Sequence, residues 1–230
     1  MASWQERRWR MQRNDAVSLF RRDWRTGALL VVGSLTLLLC FAFSIGVLGD
    51  NFHPIVPGRV YRSDQVNPHH LEELIRRYHL RTVISLRGGK EGDRWYRGET
   101  AVCERLGVLH SSVSLRATAL PPPRQLRAFL QLLDRSPYSV LFHCRGGADR
   151  SGLAATLYLN LYAHVPLWKA LEQQLTWRYG HFRGPAGAMV DFFELYRHTA
   201  AGLGLREWIG HRNPQLYRAL RHPHRSAGTG

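Results

Sequence analysis

From Thr26 to Gly49 no residue carries a charge, and Ala28–Leu48 reads ALLVVGSLTLLLCFAFSIGVL. As a helix, these 21 residues would run about 31 Å, the thickness of a bilayer's hydrocarbon core. A helix at the edge of a small globular core keeps a polar stripe for solvent; this one has none. The run therefore divides the chain into a basic leader (1–27), one transmembrane helix (28–48), a folded domain (50–210) and a basic tail (211–230). The leader holds seven arginines against three acids, while Arg59 and Arg62 are the only cations in the twenty residues after the span. That bias predicts a single-pass membrane protein with its N-terminus in the cytoplasm and residues 50–230 outside it, in the periplasm if the source is bacterial. A cleaved signal peptide is the alternative, with Ala42-Phe43-Ser44 and Ser44-Ile45-Gly46 as small-residue cleavage patterns.

After Pro57-Gly58, with Asp50–Pro57 as a short tether, apolar runs of two periods alternate. Val60-Tyr61-Arg62, Thr82–Leu86, Val108–Val113 and Tyr138–His143 are short and rich in β-branched or aromatic residues, the pattern of buried strands. Between them lie helical faces: Leu71, Leu74, Ile75 and Tyr78 after an Asn67-Pro68 start, a segment from about Gly98 to Leu106, and Leu126, Phe129, Leu130 and Leu133. Helices over 150–162, 167–176 and 187–199 close the domain. Strands and helices in this order predict one α/β domain with a mainly parallel central sheet flanked by helices. The three cysteines are too far apart for a disulfide scaffold or a zinc finger. The twelve histidines are scattered, and no set of them has metal-ligand spacing.

The strand Tyr138–His143 runs directly into Cys144-Arg145-Gly146-Gly147-Ala148-Asp149-Arg150-Ser151-Gly152, where a helix begins. A loop of five residues between Cys144 and Arg150 can wrap its amides around phosphate oxygens, and the helix N-terminus adds free N–H groups and a positive dipole. Gly146 and Gly147 let the backbone curl with positive φ. Arg150 can clamp two oxygens with its planar fork. The same dipole and cation favour a thiolate at Cys144, which can attack phosphorus to give a phosphocysteine. Ser151 can donate toward that sulfur and ease its departure. A persulfide-forming rhodanese loop is the other enzyme reading; it is typically one residue shorter.

Residues 143–152, H-C-R-G-G-A-D-R-S-G, resemble the H-C-x-x-G-x-x-R-[S/T] signature of cysteine-dependent protein tyrosine and dual-specificity phosphatases. The likeness runs in order from Val60-Tyr61-Arg62-Ser63 to about Tyr196, in a form similar to compact bacterial members. It implies a single dual-specificity-phosphatase-like domain with Cys144 as nucleophile, Arg150 as phosphate clamp and residues 145–150 as the phosphate loop, working without metal or other cofactor. Family members usually carry a catalytic Asp on a loop before the cysteine. Here residues 105–133 contain no Asp or Glu, and the corresponding loop reads Ser114-Leu115-Arg116-Ala117-Thr118-Ala119-Leu120-Pro121. Asp149 is the first candidate for the proton donor, since myotubularin-like and Sac-like lipid phosphatases also carry Asp just before the arginine; its alternative is a structural carboxylate. Glu91 and Asp93, after the strand Thr82–Leu86, come next. His143 orders the loop, Arg145 favours a polyanionic substrate, and Trp177–His181 could line the pocket.

The net charge of +15, carried by arginine except for Lys90 and Lys169, calls for anionic partners. The expected ones are a phosphorylated protein or a phospholipid, with the membrane reached through the N-terminal helix. A nucleic acid is not expected outside the cytoplasm. A module that binds phosphorylated ligands without turnover is the non-enzymatic alternative.

Overall fold

The structure, a computed structural model, describes residues 26–41, 50–182, 184 and 187–221. Residues 26–41 form a helix, α1, whose leucines, valines and phenylalanine are all exposed on every side (Leu37 is 73% exposed, Val32 63%). The rest of the expected span, residues 42–48, lies outside the described residues, as does the leader up to residue 25. Among the described residues no helix is long and apolar enough to cross a membrane. The chain divides into two compact units, residues 1–46 and 47–230.

Five strands form the sheet of the second unit: β1 (His53–Val56), β2 (Val60–Ser63), β3 (Thr82–Ser85), β4 (Leu109–Ser112) and β5 (Val140–His143). Their spatial order is β1-β2-β5-β3-β4. β5 lies between β2 and β3 and is parallel to both, and β4 is parallel to β3. Only β1 is antiparallel, pairing with β2. The segment read as a tether thus contains a strand. Its pattern is too short and its Pro54 too strand-averse for the sequence to show it, but at an edge a proline's missing N–H costs nothing.

Alternation along the central strands splits the interior in two. Val60, Ile84, Val140 and Phe142 face one core, and Tyr61, Val83 and Leu141 face the other. The second core is covered by α2 (Pro68–Tyr78) and α3 (Arg94–Arg105). The Asn67 side chain caps α2, accepting from the His70 amide at 2.9 Å. α3 begins at Arg94, four residues before the glycine expected to open it. Gly98 sits inside the helix because its missing side chain lets α2 approach: a Cβ there would stand 2.8 Å from Pro68 Cγ.

The first core is closed by α4 (Pro123–Arg135), α5 (Asp149–Leu161), α6 (Leu167–Gln174), α7 (Ala188–Thr199) and α8 (Leu205–Arg221). Leu126, Phe129, Leu130 and Leu133 of α4 are buried, as their spacing predicts. α5 is enclosed along its length, every residue from Ser151 to Leu159 being buried. α8 carries through Pro214 and so continues past residue 210, where the sequence placed the domain's end. Burial of Leu205, Trp208 and Ile209 offsets the strain a proline puts on a helix interior.

Candidate active site

Register decides where the chemistry gathers. Ser63, His143 and Ser85 end their strands level with one another, so the loops that follow β2, β5 and β3 converge at one sheet edge, the usual ligand edge of an open parallel sheet. Cys144 is the first residue past β5 and is 2% exposed. Its amide donates to the Ser63 carbonyl at 3.4 Å. Five residues later α5 begins, its N-terminus directed at the loop.

The loop between them is held from outside by its carbonyls. The Arg145 carbonyl accepts from the Gln65 amide (3.4 Å) and the Gly146 carbonyl from Asn51 Nδ2 (2.9 Å). The Gly147 and Ala148 carbonyls both accept from Arg62 Nη2, at 2.5 and 2.9 Å. In a trans peptide the N–H points opposite to the C=O. Turning four carbonyls outward therefore turns the following amides inward. The amides of residues 146–149 have no backbone acceptor among the described residues.

Gly147 has φ +67, and a Cβ there would stand 2.8 Å from both Asn51 Nδ2 and the Asp64 amide nitrogen. Only glycine fits. Gly146 departs from expectation: it has no positive φ and open space where a side chain would be. One left-handed residue suffices to turn this loop.

Arg62 is fully buried, a cation in a strand otherwise set into the two cores. Burial lowers its guanidinium to about 10, partly opposed by the negative charges that Cys144, Tyr179 and Asp149 can carry; it remains protonated at neutral pH. Its second nitrogen, Nη1, is fixed by Gln174, to the carbonyl at 2.8 Å and to Oε1 at 2.9 Å, and its plane lies 4.3 Å from the Tyr179 ring centroid. The sequence supplied Arg62 only as part of the family likeness, and Asn51 not at all. The available signal was a charged residue inside a short apolar strand, which demands a buried partner.

Arg150 is half-buried. Its Nη1 donates to the Leu115 carbonyl at 3.3 Å, while its Nε is buried without a partner. Arg145 is exposed at the rim. Arg87, from the loop after β3, completes a cationic cluster. Burial lowers its guanidinium, and Arg150 and Arg145 add to that by repulsion, against the opposing charges of Glu99 and Cys144. Arg87 stacks on Trp95 at 4.1 Å and lines an open cavity of about 530 Å³ with Lys90 and Asp93. Three arginines, inward amides and an unpartnered guanidinium nitrogen form a receptor for an oxyanion.

Beneath the loop, His143 Nε2 and His110 Nε2 both meet Glu99 Oε1, at 3.0 and 2.7 Å. Glu99 Oε2 accepts from Gln65 Nε2 at 2.5 Å, and Gln65 Oε1 accepts from Arg87 at 3.1 Å. Burial alone would raise the Glu99 carboxyl, but the hydrogen bonds from His110, His143 and Gln65 hold it below the usual carboxylate range. Glu99 thus joins the residue before the nucleophile to the cationic rim, and the sequence reading missed it. His143, expected to order the loop, bonds Glu99 through Nε2, and its Nδ1 is buried without a partner.

The proposed donors are placed differently from one another. Asp149 stands on the first turn of α5, with Oδ1 2.7 Å from the buried His181 Nδ1. Its partner is a histidine, as a structural carboxylate's could be. Asp93 precedes α3 and accepts from the Lys90 amide at 3.2 Å. Glu91 is exposed. The Ser151 hydroxyl is buried and donates to the Ser63 carbonyl at 3.3 Å. Trp177 is 66% exposed and lies on an outer groove apart from the arginine-lined cavity; Tyr179 and His181 face inward, to Arg62 and Asp149. Cys103 is fully buried, and burial pushes its thiol up to about 12, as for a packing residue. Among the described residues no group of three or more His, Cys, Asp or Glu is placed to hold a metal ion.

Residues 46–166, over half of the chain, match the family model described as the tyrosine phosphatase family. No curated protein matches the sequence. Among solved structures, the active form of Tk-PTP is 21% identical with a TM-score of 0.51, covering 66% of this chain and 99% of its own. The core catalytic domain of the PP-IP phosphatase SIW14 from S. cerevisiae is 18% identical with a TM-score of 0.51, covering 65% and 91%. P. aeruginosa TpbA in complex with phosphotyrosine is 25% identical with a TM-score of 0.48, covering 66% and 92%.

Proposed function

We propose that this chain, which belongs to the tyrosine phosphatase family, hydrolyses phosphate monoesters by two in-line displacements through a phosphocysteine. It is a cysteine-based phosphoric monoester hydrolase with a mainly parallel α/β fold. In the first step Cys144 Sγ attacks phosphorus and the ester P–O bond breaks, its electron pair leaving on the alcohol or phenol oxygen, which takes up a proton. Water then attacks the phosphocysteine, the P–S bond breaks, and inorganic phosphate and the thiolate are released. The inward amides and Arg150 stabilise the three equatorial oxygens throughout, where charge is spread in the transition state.

One observation carries this reading. The carbonyls of residues 145–148 are all held outward, so the loop beside Cys144 presents donors only. The substrate is a phosphorylated protein, of the tyrosine or dual-specificity kind; a phospholipid or phosphoinositide is the alternative that the Arg87–Arg145–Arg150 cluster favours. The apolar run from Ala28 to Leu48 anchors the chain in a membrane, with the domain on the side away from the arginine-rich leader, a reading supported by the charge bias alone.

Cys144→Ser is the test. It abolishes turnover of p-nitrophenyl phosphate and keeps binding of vanadate or phosphotyrosine; vanadate inhibits the wild type and chelators do not. Wild-type rates in the variant, or activity that a chelator removes, overturn the mechanism. A module that holds phosphorylated ligands without turnover is the second reading, favoured by the absence of any carboxylate from residues 105–133. Single-turnover release of phosphate from a natural phosphoester separates the two.

A further inference from the structure

The α6–α7 side of the domain carries three apolar rings that neither core uses. Trp168, Trp177 and Phe182 are 63%, 66% and 55% exposed. All three border one open groove of about 670 Å³, lined also by Leu171, Leu175 and Val190. Leu109 and Leu220, the other large apolar residues exposed among the described residues of the domain, do not border it. Two indoles and a phenyl ring gathered on one face mark an interaction surface. Their identity narrows the partner, because Trp and Phe are the side chains that settle at the boundary between headgroups and acyl chains.

Charge narrows it further. Lys169 and Arg178 are each adjacent in sequence to one of the exposed tryptophans, and both are exposed. Of the acids at the groove, Glu194 is already paired with Arg197 at 2.6 Å, leaving Glu172 as the remaining one. The chain as a whole carries +15. Exposed aromatic rings flanked by cations are the elements of peripheral binding to an acidic membrane. We propose that this face docks on an anionic lipid bilayer. The rings of Trp168, Trp177 and Phe182 enter the headgroup layer, and Lys169 and Arg178 meet lipid phosphates.

The docked segment also braces the catalytic loop from its inner side. Gln174 and Tyr179 contact Arg62, and His181 holds Asp149. Docking of this face therefore bears on the side chains that hold the loop. Docking of this face and hydrolysis at Cys144 remain separable, so each can fail alone.

Hydrogen exchange of the full chain tests the proposal, in vesicles of phosphatidylcholine with and without phosphatidylglycerol, and in nonionic detergent at two protein concentrations. The amides of residues 175–182 exchange roughly thirtyfold more slowly when phosphatidylglycerol is present, the factor expected for two cations at an acidic surface. Trp168→Ala with Trp177→Ala removes the slowing, as does Lys169→Glu with Arg178→Glu. Both pairs leave hydrolysis of p-nitrophenyl phosphate in detergent unchanged. Exchange indifferent to lipid charge overturns the proposal. So does slowing that appears in detergent and grows with protein concentration, which would make this face a contact between copies of the chain.

Discussion

Arg62 Nη2 donates to the Gly147 carbonyl at 2.5 Å, joining the second strand to the catalytic loop across 85 residues of sequence. The same nitrogen reaches Ala148. This one buried side chain turns two peptide planes and so aims two of the loop's amides at the substrate.

Arg62→Lys keeps the charge but loses the fork. Lysine's three N–H groups cannot serve the four acceptors that Arg62 holds on Gly147, Ala148 and twice on Gln174, so at least one buried acceptor is left unpaired, at about 1–3 kcal/mol. Urea unfolding reads this as a lower midpoint. Turnover falls by roughly 10²-fold with vanadate affinity reduced in parallel, because the loop's donors are misaimed. Unchanged vanadate affinity would show that the loop holds its shape without Arg62.

Asp149 is held by His181 on the first turn of α5, its Oδ1 2.7 Å from the buried ring nitrogen. Asp149→Asn therefore slows natural phosphoesters and p-nitrophenyl phosphate together and lowers thermal stability. Asp93 shares the cavity with Arg87, and Asp93→Asn slows phosphotyrosine or a lipid phosphoester roughly 10²-fold while sparing p-nitrophenyl phosphate, whose leaving group hardly needs a proton. If Asp149→Asn alone shows the leaving-group dependence, Asp149 is the donor after all. If neither does, no carboxylic acid assists departure, and the binding-module reading gains.

Asp64 follows β2 and touches Gly147 through its backbone. Burial raises its carboxyl to about 6, and the neighbouring Asp50 adds to the rise against the opposing His143 and His70. The folded state thus binds a proton more tightly than the unfolded chain. The stabilisation from that proton is complete below the ordinary value of 3.8 and is lost as pH rises through about 6. The melting temperature of the wild type relative to Asp64→Asn accordingly falls between about pH 4 and pH 6 and is flat above pH 7. A difference that does not vary over that window removes Asp64 from the acid-side stability of the fold.

The leader's arginines predict which side of a membrane the domain occupies. A C-terminal alkaline phosphatase fusion to the full chain in a bacterial host is active, and a fluorescent-protein fusion exported by the same route is dark. The reverse pattern places the domain in the cytoplasm.

The sequence by itself determined the order of elements and the chemistry of one loop. Strands at 60–62, 82–86 and 138–143 were legible because parallel strands buried on both faces must be short and apolar; the one at 108–113 was legible only from its flanking valines, since β4 itself is a half-exposed edge strand. Cys144, Arg150 and the glycines stood out because a phosphate cradle needs those residue types within one turn of backbone. Whatever depends on contacts between distant segments was decided by tertiary structure. Asn51, Arg62, Gln65, Arg87 and Glu99 come from four separate stretches of chain, and only the parallel register of β2, β5 and β3 brings them to one edge. The partner of Asp149 was equally hidden. His181 lies 32 residues away, beyond two helices and a turn, and no spacing rule links the two. Local sequence sets which donors a loop can offer; the buried groups that hold its carbonyls, supplied by the rest of the fold, set where those donors point.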